Sequence, residues 1–558
     1  MKHIIHSPKF LLLWGIVVLT VPNIVLSFVE KQPLLTALTN VLLPASVYML
    51  LLTLSRRTGK MVWWAFPLTF LAAFQIVLLY LFGSGAIAVD MWLNLVTTNP
   101  TEAMELLDNL IPGLITVFGL YLPLIIISTL QAWKHIELPS GWQRCVRRIG
   151  AGCLIIGICL LIAARHRVPT FRTCIDIYPV NVVYNLRLAI SRSIATARYE
   201  QTSRRFAFGT VATHDSDSAE VVILVVGETA RAESFQLYGY DRPTTPHLCQ
   251  MKNRLVTFTD VLTQSNTTHK SVPMLLSAVS AEDYDSIYHQ KGVIAAFREA
   301  GYHTIFASNQ RPNHSFIDFF GEEAHEVTFL KNEEESKAHY DTELLQFVSK
   351  ALKQGHRRLF IVLHTYGSHF NYNERYPKSE AIFLPDTPAD AEYKNRPMLI
   401  NAYDNTIRGT DQLLHSLITM TDTLRTALLY TSDHGENIFD DDRRLFLHAS
   451  PRPSAYELRI PFVVSLSPSY RQAYPEVAAA LEANHAKPVS SNASVFHTLL
   501  DLAGLRTPLY RDSFSVASPH YGIHERFYLN DHNKAVPIQR LRLQEEDIKM
   551  LHKAQMAM

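Results

Sequence analysis

The order of apolar and polar positions divides the chain in two. Up to about residue 165 apolar residues run nearly unbroken; beyond about 215 they come in short β-branched runs separated by mixed, helix-like stretches. Five early runs have the length or hydropathy to cross a bilayer: 10–28, 34–54, 61–82, 112–130 and 149–164. A hydrocarbon core of about 30 Å takes about 20 helical residues at ~1.5 Å each. The fifth run is the shortest, and Arg148 and Arg165 at its ends reach the headgroups by snorkelling. Four further apolar runs and the lack of a small-residue cleavage site argue against reading the first as a signal peptide.

Charges in the connecting loops orient the spans. Lys2, Lys9, Arg56, Arg57, Lys60, Lys134, Arg144, Arg147 and Arg148 fall on one side, whereas residues 83–111 carry Asp90, Glu102, Glu105 and Asp108 and no Lys or Arg. Positive loops stay cytoplasmic. The expected topology is an N-terminus inside, five spans over 1–165, and everything after Ala164 outside, which in a bacterium means the inner membrane and periplasm. Residues 166–215 are expected to connect the halves, with 178–192 mixing apolar and basic residues as a helix on the membrane surface does.

In the second half, β-branched runs at 221–226, 304–307, 359–363, 427–431 and 462–466 predict strands, and 292–300 and 402–420 predict helices. Alternation of the two predicts an α/β domain over 216–558 with a mostly parallel sheet. Three strands run straight into polar residues: Gly227-Glu228-Thr229, Ser432-Asp433-His434-Gly435-Glu436, and His364-Thr365-Tyr366-Gly367-Ser368-His369. Parallel strands gather their sites at carboxyl ends, so these groups are expected to meet at one edge. Carboxylates with imidazoles suit Zn²⁺ better than Mg²⁺.

Composition adds exclusions. With 558 residues, more than one domain is expected. Lys and Arg number 52 against 51 Asp and Glu, without the basic excess of a nucleic-acid binder. Of five cysteines, Cys153 and Cys159 lie in an apolar run; Cys174 and Cys249 are the pair open to bridging outside the membrane, and none has CxxC spacing. A nucleophile is sought in the hydroxyl-rich stretch 263–273, just before a helix-like run. Hydroxyls at a helix start meet backbone N–H groups and the helix dipole, which favour phosphate. Thr267, Thr268 and Ser271 all qualify on these grounds.

At this point a resemblance adds to the residues. The stretch Gly227-Glu-Thr-Ala-Arg-Ala-Glu-Ser-Phe-Gln-Leu-Tyr-Gly-Tyr-Asp-Arg-Pro-Thr-Thr-Pro246 resembles the signature of bacterial phosphoethanolamine transferases that modify lipid A or the lipopolysaccharide core, within the sulfatase/alkaline phosphatase superfamily. The likeness extends through Ser271-Val-Pro273, 364–370, Tyr403-Asp-Asn405, 432–436 and Arg459-Ile-Pro461, and 97–102 resembles the family's segment between spans three and four. It implies an alkaline-phosphatase-like α/β sandwich behind five spans. It also implies one tightly held zinc on Glu228, Thr268, Asp433 and His434, with Thr268 as the nucleophile. His369 and His448 would face the substrate phosphate or a second zinc, and Asn309 and His314 would touch substrate. The implied reaction takes phosphoethanolamine from phosphatidylethanolamine, through a phospho-threonine, to a membrane glycolipid acceptor; if that is lipid A, polymyxin resistance follows. Two departures stand out: Gln264 and Met274 occupy places where lipid A transferases carry loop-bridging cysteines, and Ala449 follows His448 where Gly is usual. Competing readings are a phosphoglycerol transferase, a sulfatase-like hydrolase, and a non-catalytic membrane sensor.

Overall fold

The computed structural model describes residues 7–82, 85–97, 100–214, 219–331, 339–541 and 543–556. Thr98 and Asn99 of the 97–102 segment lie outside these. Contacts within the chain divide it between Ser193 and Ile194 into two compact units.

The first unit is a membrane domain of apolar helices: α1 (Pro8–Val29), α2 (Leu34–Leu52), α3 (Thr58–Trp64), α4 (Phe66–Phe82), α5 (Val89–Thr97), α6 (Pro100–Trp133), α7 (Ser140–Arg167) and α8 (Val180–Ala197), the last crossing the division. Residues 8–29, 34–52, 113–133 and 140–167 are each long and apolar enough to span. The third expected span is broken: α3 and α4 meet at a 63° bend. Pro67 stands just after the break; its ring disfavours a helical residue before it and is tolerated only in a first turn. Polar residues buried among these helices pair with one another. Asn23 of α1 donates to the Asn40 and Tyr178 carbonyls (2.8 and 2.7 Å), and Asn40 Oδ1 accepts from the Tyr178 backbone N–H (2.9 Å). The chain leaving α7 is thereby tied back to α1 and α2.

The second unit is built on a seven-stranded sheet of β1 (Glu220–Gly227), β2 (Leu255–Thr257), β3 (His303–Ser308), β4 (Glu326–Phe329), β5 (Arg358–His364), β6 (Thr426–Ser432) and β7 (Phe462–Leu466), in the order β2-β7-β6-β1-β5-β3-β4. Only β7 runs against the rest. All eight residues of β1 are buried, as the unbroken run Val-Val-Ile-Leu-Val-Val requires of a strand covered on both faces. Val222, Leu224 and Val226 share one core with Val272, Met274 and Leu275 of α9 (Thr268–Leu275) and Val495 and Leu499 of α12 (Ser491–Leu502). Between these helices in the chain come α10 (Val293–Glu299) and the long α11 (Arg396–Met420). Strands β2 and β4 were not foreseen; they are three and four residues long and sit at the two edges of the sheet.

Candidate metal centre and nucleophile

Strands β6, β1 and β5 are neighbours and parallel, so their carboxyl ends lie side by side. Gly227 pairs with Ser432, and Val226 with His364, which brings Glu228, the Asp433-His434 pair and the 364–369 loop to one edge. Backbone geometry there is strained. Thr229, a β-branched residue, has φ +60°, a conformation that costs about 1–3 kcal/mol and recurs at functional sites. It lets the Thr229 N–H reach Asp433 Oδ1 (3.0 Å) and its hydroxyl reach Glu228 Oε1 (2.8 Å), while Tyr403 of α11 donates to the Thr229 carbonyl (2.7 Å). Gly367, at φ +50°, lies so close to Glu228 that a Cβ would stand 2.5 Å from its carbonyl oxygen. Only glycine fits there.

Glu228, Asp433 and His434 are essentially fully buried, and one ligand atom from each lies within 4.8 Å of the other two. His434 Nε2 is 3.2 Å from Asp433 Oδ2 and 3.6 Å from Glu228 Oε1. His434 Nδ1 lies 2.9 Å from the Gly435 carbonyl, which can only accept; Nδ1 therefore carries a proton, and Nε2 is the atom turned to the carboxylates. Asp433 Oδ1 accepts from two backbone N–H groups, but Oδ2 is buried with no donor. Burial pushes the Asp433 carboxyl up to about 7, against these N–H bonds. Two carboxylates and the Nε2 of an imidazole thus converge on a point that a cation would reconcile. The donor set fits a zinc ion.

The hydroxyl-rich stretch resolves into distinct roles. Thr268, the first residue of α9, donates to Glu228 Oε1 (2.9 Å) and lies 3.1 Å from His434 Nε2. Thr267 instead meets the Ser265 hydroxyl (3.1 Å). Ser271 donates to the Asp433 carbonyl (2.7 Å), as does Thr263 (2.6 Å), and both hydroxyls touch the Asn492 side chain. Of the three hydroxyls, Thr268 alone faces the cluster. Gln264, one of the two cysteine replacements, accepts from Ala281 N–H (3.1 Å) and its own N–H is held by Asn492 (2.6 Å); Met274 is fully buried. Hydrogen bonds and packing hold this loop, and all five cysteines are free.

His369 and His448 flank the cluster with ring centroids 5.9 Å apart, and the His448 ring is 4.2 Å from that of His434. His369 Nδ1 meets the Phe370 carbonyl (2.7 Å), and His448 Nδ1 meets Glu436 Oε1 (3.1 Å). Burial takes both imidazoles down to about 3, so each is neutral, and the Phe370 carbonyl fixes the proton of His369 on Nδ1 and its lone pair on Nε2. The Glu436 carboxyl, itself fully buried, is pushed well above the carboxylate range by the same cause. Ala449, which replaces a usual glycine, sits at φ +63°, which explains the glycine elsewhere.

Asn309 and His314 are not brought to the cluster. The Asn309 amide donates to the His339 carbonyl and Asp341 Oδ1 (3.2 and 2.8 Å). His314 is exposed, at φ +55°, its backbone N–H bonded to Asp318. Between them, Gln310 does reach it: its amide donates to Glu228 Oε2 and to the Thr365 carbonyl, both at 3.0 Å. Asp341 accepts from the Tyr366 and Gly367 N–H groups (2.8 and 2.9 Å) and so shapes the loop that carries His369. Gln310 and Asp341 escaped the sequence reading, and Glu436, expected at the sheet edge, proves to hold His448. The one available signal for Gln310 was its position two residues past a strand on the same sheet edge.

The phosphoethanolamine transferase EptA of Escherichia coli K12 is 26% identical over 444 residues, covering 76% of this chain and 79% of its own. The integral membrane lipooligosaccharide phosphoethanolamine transferase A of Neisseria meningitidis shares the fold, with TM-score 0.71 at 21% identity, over 91% of this chain and 97% of its own. The zinc complex of the C-terminal periplasmic domain of EptC from Escherichia coli superposes with TM-score 0.55 at 24% identity, over 61% and 97%. A family model described as Sulfatase matches residues 220–505, which hold Glu228, Thr268, Asp433 and His434, and the chain belongs to the sulfatase family of enzymes.

Proposed function

We propose that this protein transfers phosphoethanolamine from phosphatidylethanolamine to a membrane glycolipid, with lipid A as the first acceptor to test, on the periplasmic side of a bacterial inner membrane. The observation that carries the reading is the Thr268 hydroxyl, set at the start of a helix and against Glu228 and His434. The relatives named for this activity support the head group and the reaction class.

A zinc ion held by Glu228, Asp433, His434 and Thr268 would lower the pKa of the Thr268 hydroxyl and offset charge on the phosphoryl oxygens. The chain supplies the rest. Thr268 Oγ1 forms a bond to the donor phosphorus in line as the bond to diacylglycerol oxygen breaks, and the leaving oxygen takes up a proton. The phosphoethanolamine then sits on Thr268. An acceptor hydroxyl or phosphate attacks the same phosphorus, Thr268 leaves, and the threonine hydroxyl is restored. His369 and His448, held by the Phe370 carbonyl and Glu436, would stabilise charge on the phosphoryl group or shuttle protons between acceptor and leaving oxygen.

Intact-lipid mass spectrometry of cells expressing the wild type and Thr268→Ala tests this. Wild-type cells should gain one phosphoethanolamine on lipid A, and the variant should lower transfer by at least about a thousandfold. Full activity in the variant would sink the covalent route, and addition to core sugar instead would move the acceptor.

A further inference from the structure

Helix α8, which follows the last apolar span, is amphipathic the wrong way round for a helix in water. Its inward face carries polar groups: Asn181 donates to the Ile175 carbonyl (3.1 Å), Asn185 to the Ile87 carbonyl (2.8 Å), and Arg192 lies 3.7 Å from Asp90. Only Val182 and Ala189 bury apolar surface on that side; Val182 packs with Leu26, Leu78, Leu79, Ile87 and Tyr178. Its outward face carries Val183, Leu186, Ile190 and Ile194, exposed by 59, 37, 53 and 49%. At ~100° per residue these four fall within a sector of about 80°, on the side opposite Asn181 and Asn185. Arg187 is exposed at the margin of the sector. A helix solvated by water puts apolar residues inward and polar ones outward. Here the solvent-facing stripe is apolar, and a cation stands beside it.

We propose that α8 lies in the membrane surface, with Val183, Leu186, Ile190 and Ile194 immersed at the boundary between headgroups and acyl chains and Arg187 reaching a lipid phosphate. The bilayer is the occupant to which the stripe is continuous. α7, the span that precedes it, exposes Ile155, Ile156, Ile158 and Ile162 in the same manner, and Asn23 and Asn40 strap the intervening Tyr178 back to α1 and α2. Amphipathic helices with basic margins bind anionic interfaces in this way.

The test is site-directed spin labelling of the full-length chain in vesicles of phosphatidylethanolamine and phosphatidylglycerol. Single cysteines replace Val183, Leu186, Ile190 or Ile194 in a background with Cys145, Cys153, Cys159, Cys174 and Cys249 changed to serine. Ser191, exposed on the same helix outside the sector, and Val211, exposed on the second unit, serve as references. Labels in the stripe should collide several-fold more with dissolved oxygen than with an aqueous nickel chelate, and the references should do the reverse. Nickel access in the stripe equal to that at Val211 overturns the proposal. So does exclusion of both reagents with spin–spin broadening, which would mean that a second copy covers the stripe. Should the cysteine-free chain misfold, benzoylphenylalanine at Ile190 of the native chain should give lipid adducts on irradiation, and protein adducts alone would refute it. The readouts involve no turnover, so a dead catalytic centre leaves them intact.

Discussion

Two aspartates, equally withdrawn from water, are treated in opposite ways. Asp411, on α11, is saturated: Oδ1 accepts from Leu248 N–H (2.9 Å), and Oδ2 from the His247 N–H and ring Nδ1 (3.1 and 2.7 Å) at the start of a short helix. Asp433 has hydrogen-bond partners on one oxygen only; its other oxygen faces a second carboxylate and the Nε2 of His434. The first arrangement holds a helix against its neighbour. The second costs stability in the free protein and returns it on binding a cation. Saturation, more than burial, separates a structural acid from a ligand.

The contrast predicts opposite signs for the same change. Asp433→Asn should abolish metal binding and transfer, yet raise the stability of metal-free protein by about 1–4 kcal/mol, because the amide donates where the carboxylate repels. Metal analysis and denaturant unfolding of the two apo forms check this, and an apo variant weaker than wild type would break the comparison. Asp411→Asn should lower stability by about 1.5–3 kcal/mol, with metal content unchanged, since a donor amide would face donors. Gln310→Ala sharpens the boundary between the classes. Freed from Gln310, Glu228 keeps its ligand oxygen and loses its orientation, so metal affinity in a chelator competition should fall about 10–100-fold. Smallest of all, Ala449→Gly should stabilise the protein by up to about 1 kcal/mol by removing a Cβ from a left-handed residue, visible as a small rise in melting temperature.

Much of the molecule was legible because its signals are local. Spans follow from hydropathy, and β1, β3, β5, β6 and β7 from apolar runs ending in polar residues. Glu228, Asp433 and His434 came from that same junction, since a residue one step past a buried parallel strand must lie at the sheet edge. What stayed hidden depends on partners distant in sequence. Gln310 reaches the site only because Glu228 Oε2 is 3.0 Å away, 82 positions back, and the strand end that shows Glu436 does not show that it meets His448. Asn309 and His314 lie on the same segment, but only Gln310 between them reaches the carboxylate cluster. The bend between α3 and α4 could have been read from Pro67, but hydropathy averages over it. For α8, the mix of apolar and basic residues pointed to a surface helix but could not say which of its residues the protein would cover.

The Ser271 and Thr263 hydroxyls grip the main-chain carbonyl of Asp433, not its carboxylate. Substitution at Asp433 therefore leaves the tether between the nucleophile's helix and the β6 terminus in place. On the proposed mechanism this makes Asp433→Asn a trapping variant: a chain that should not turn over, with the Thr268 helix still tied to the β6 terminus, suited to capturing a donor lipid before its phosphorus is attacked.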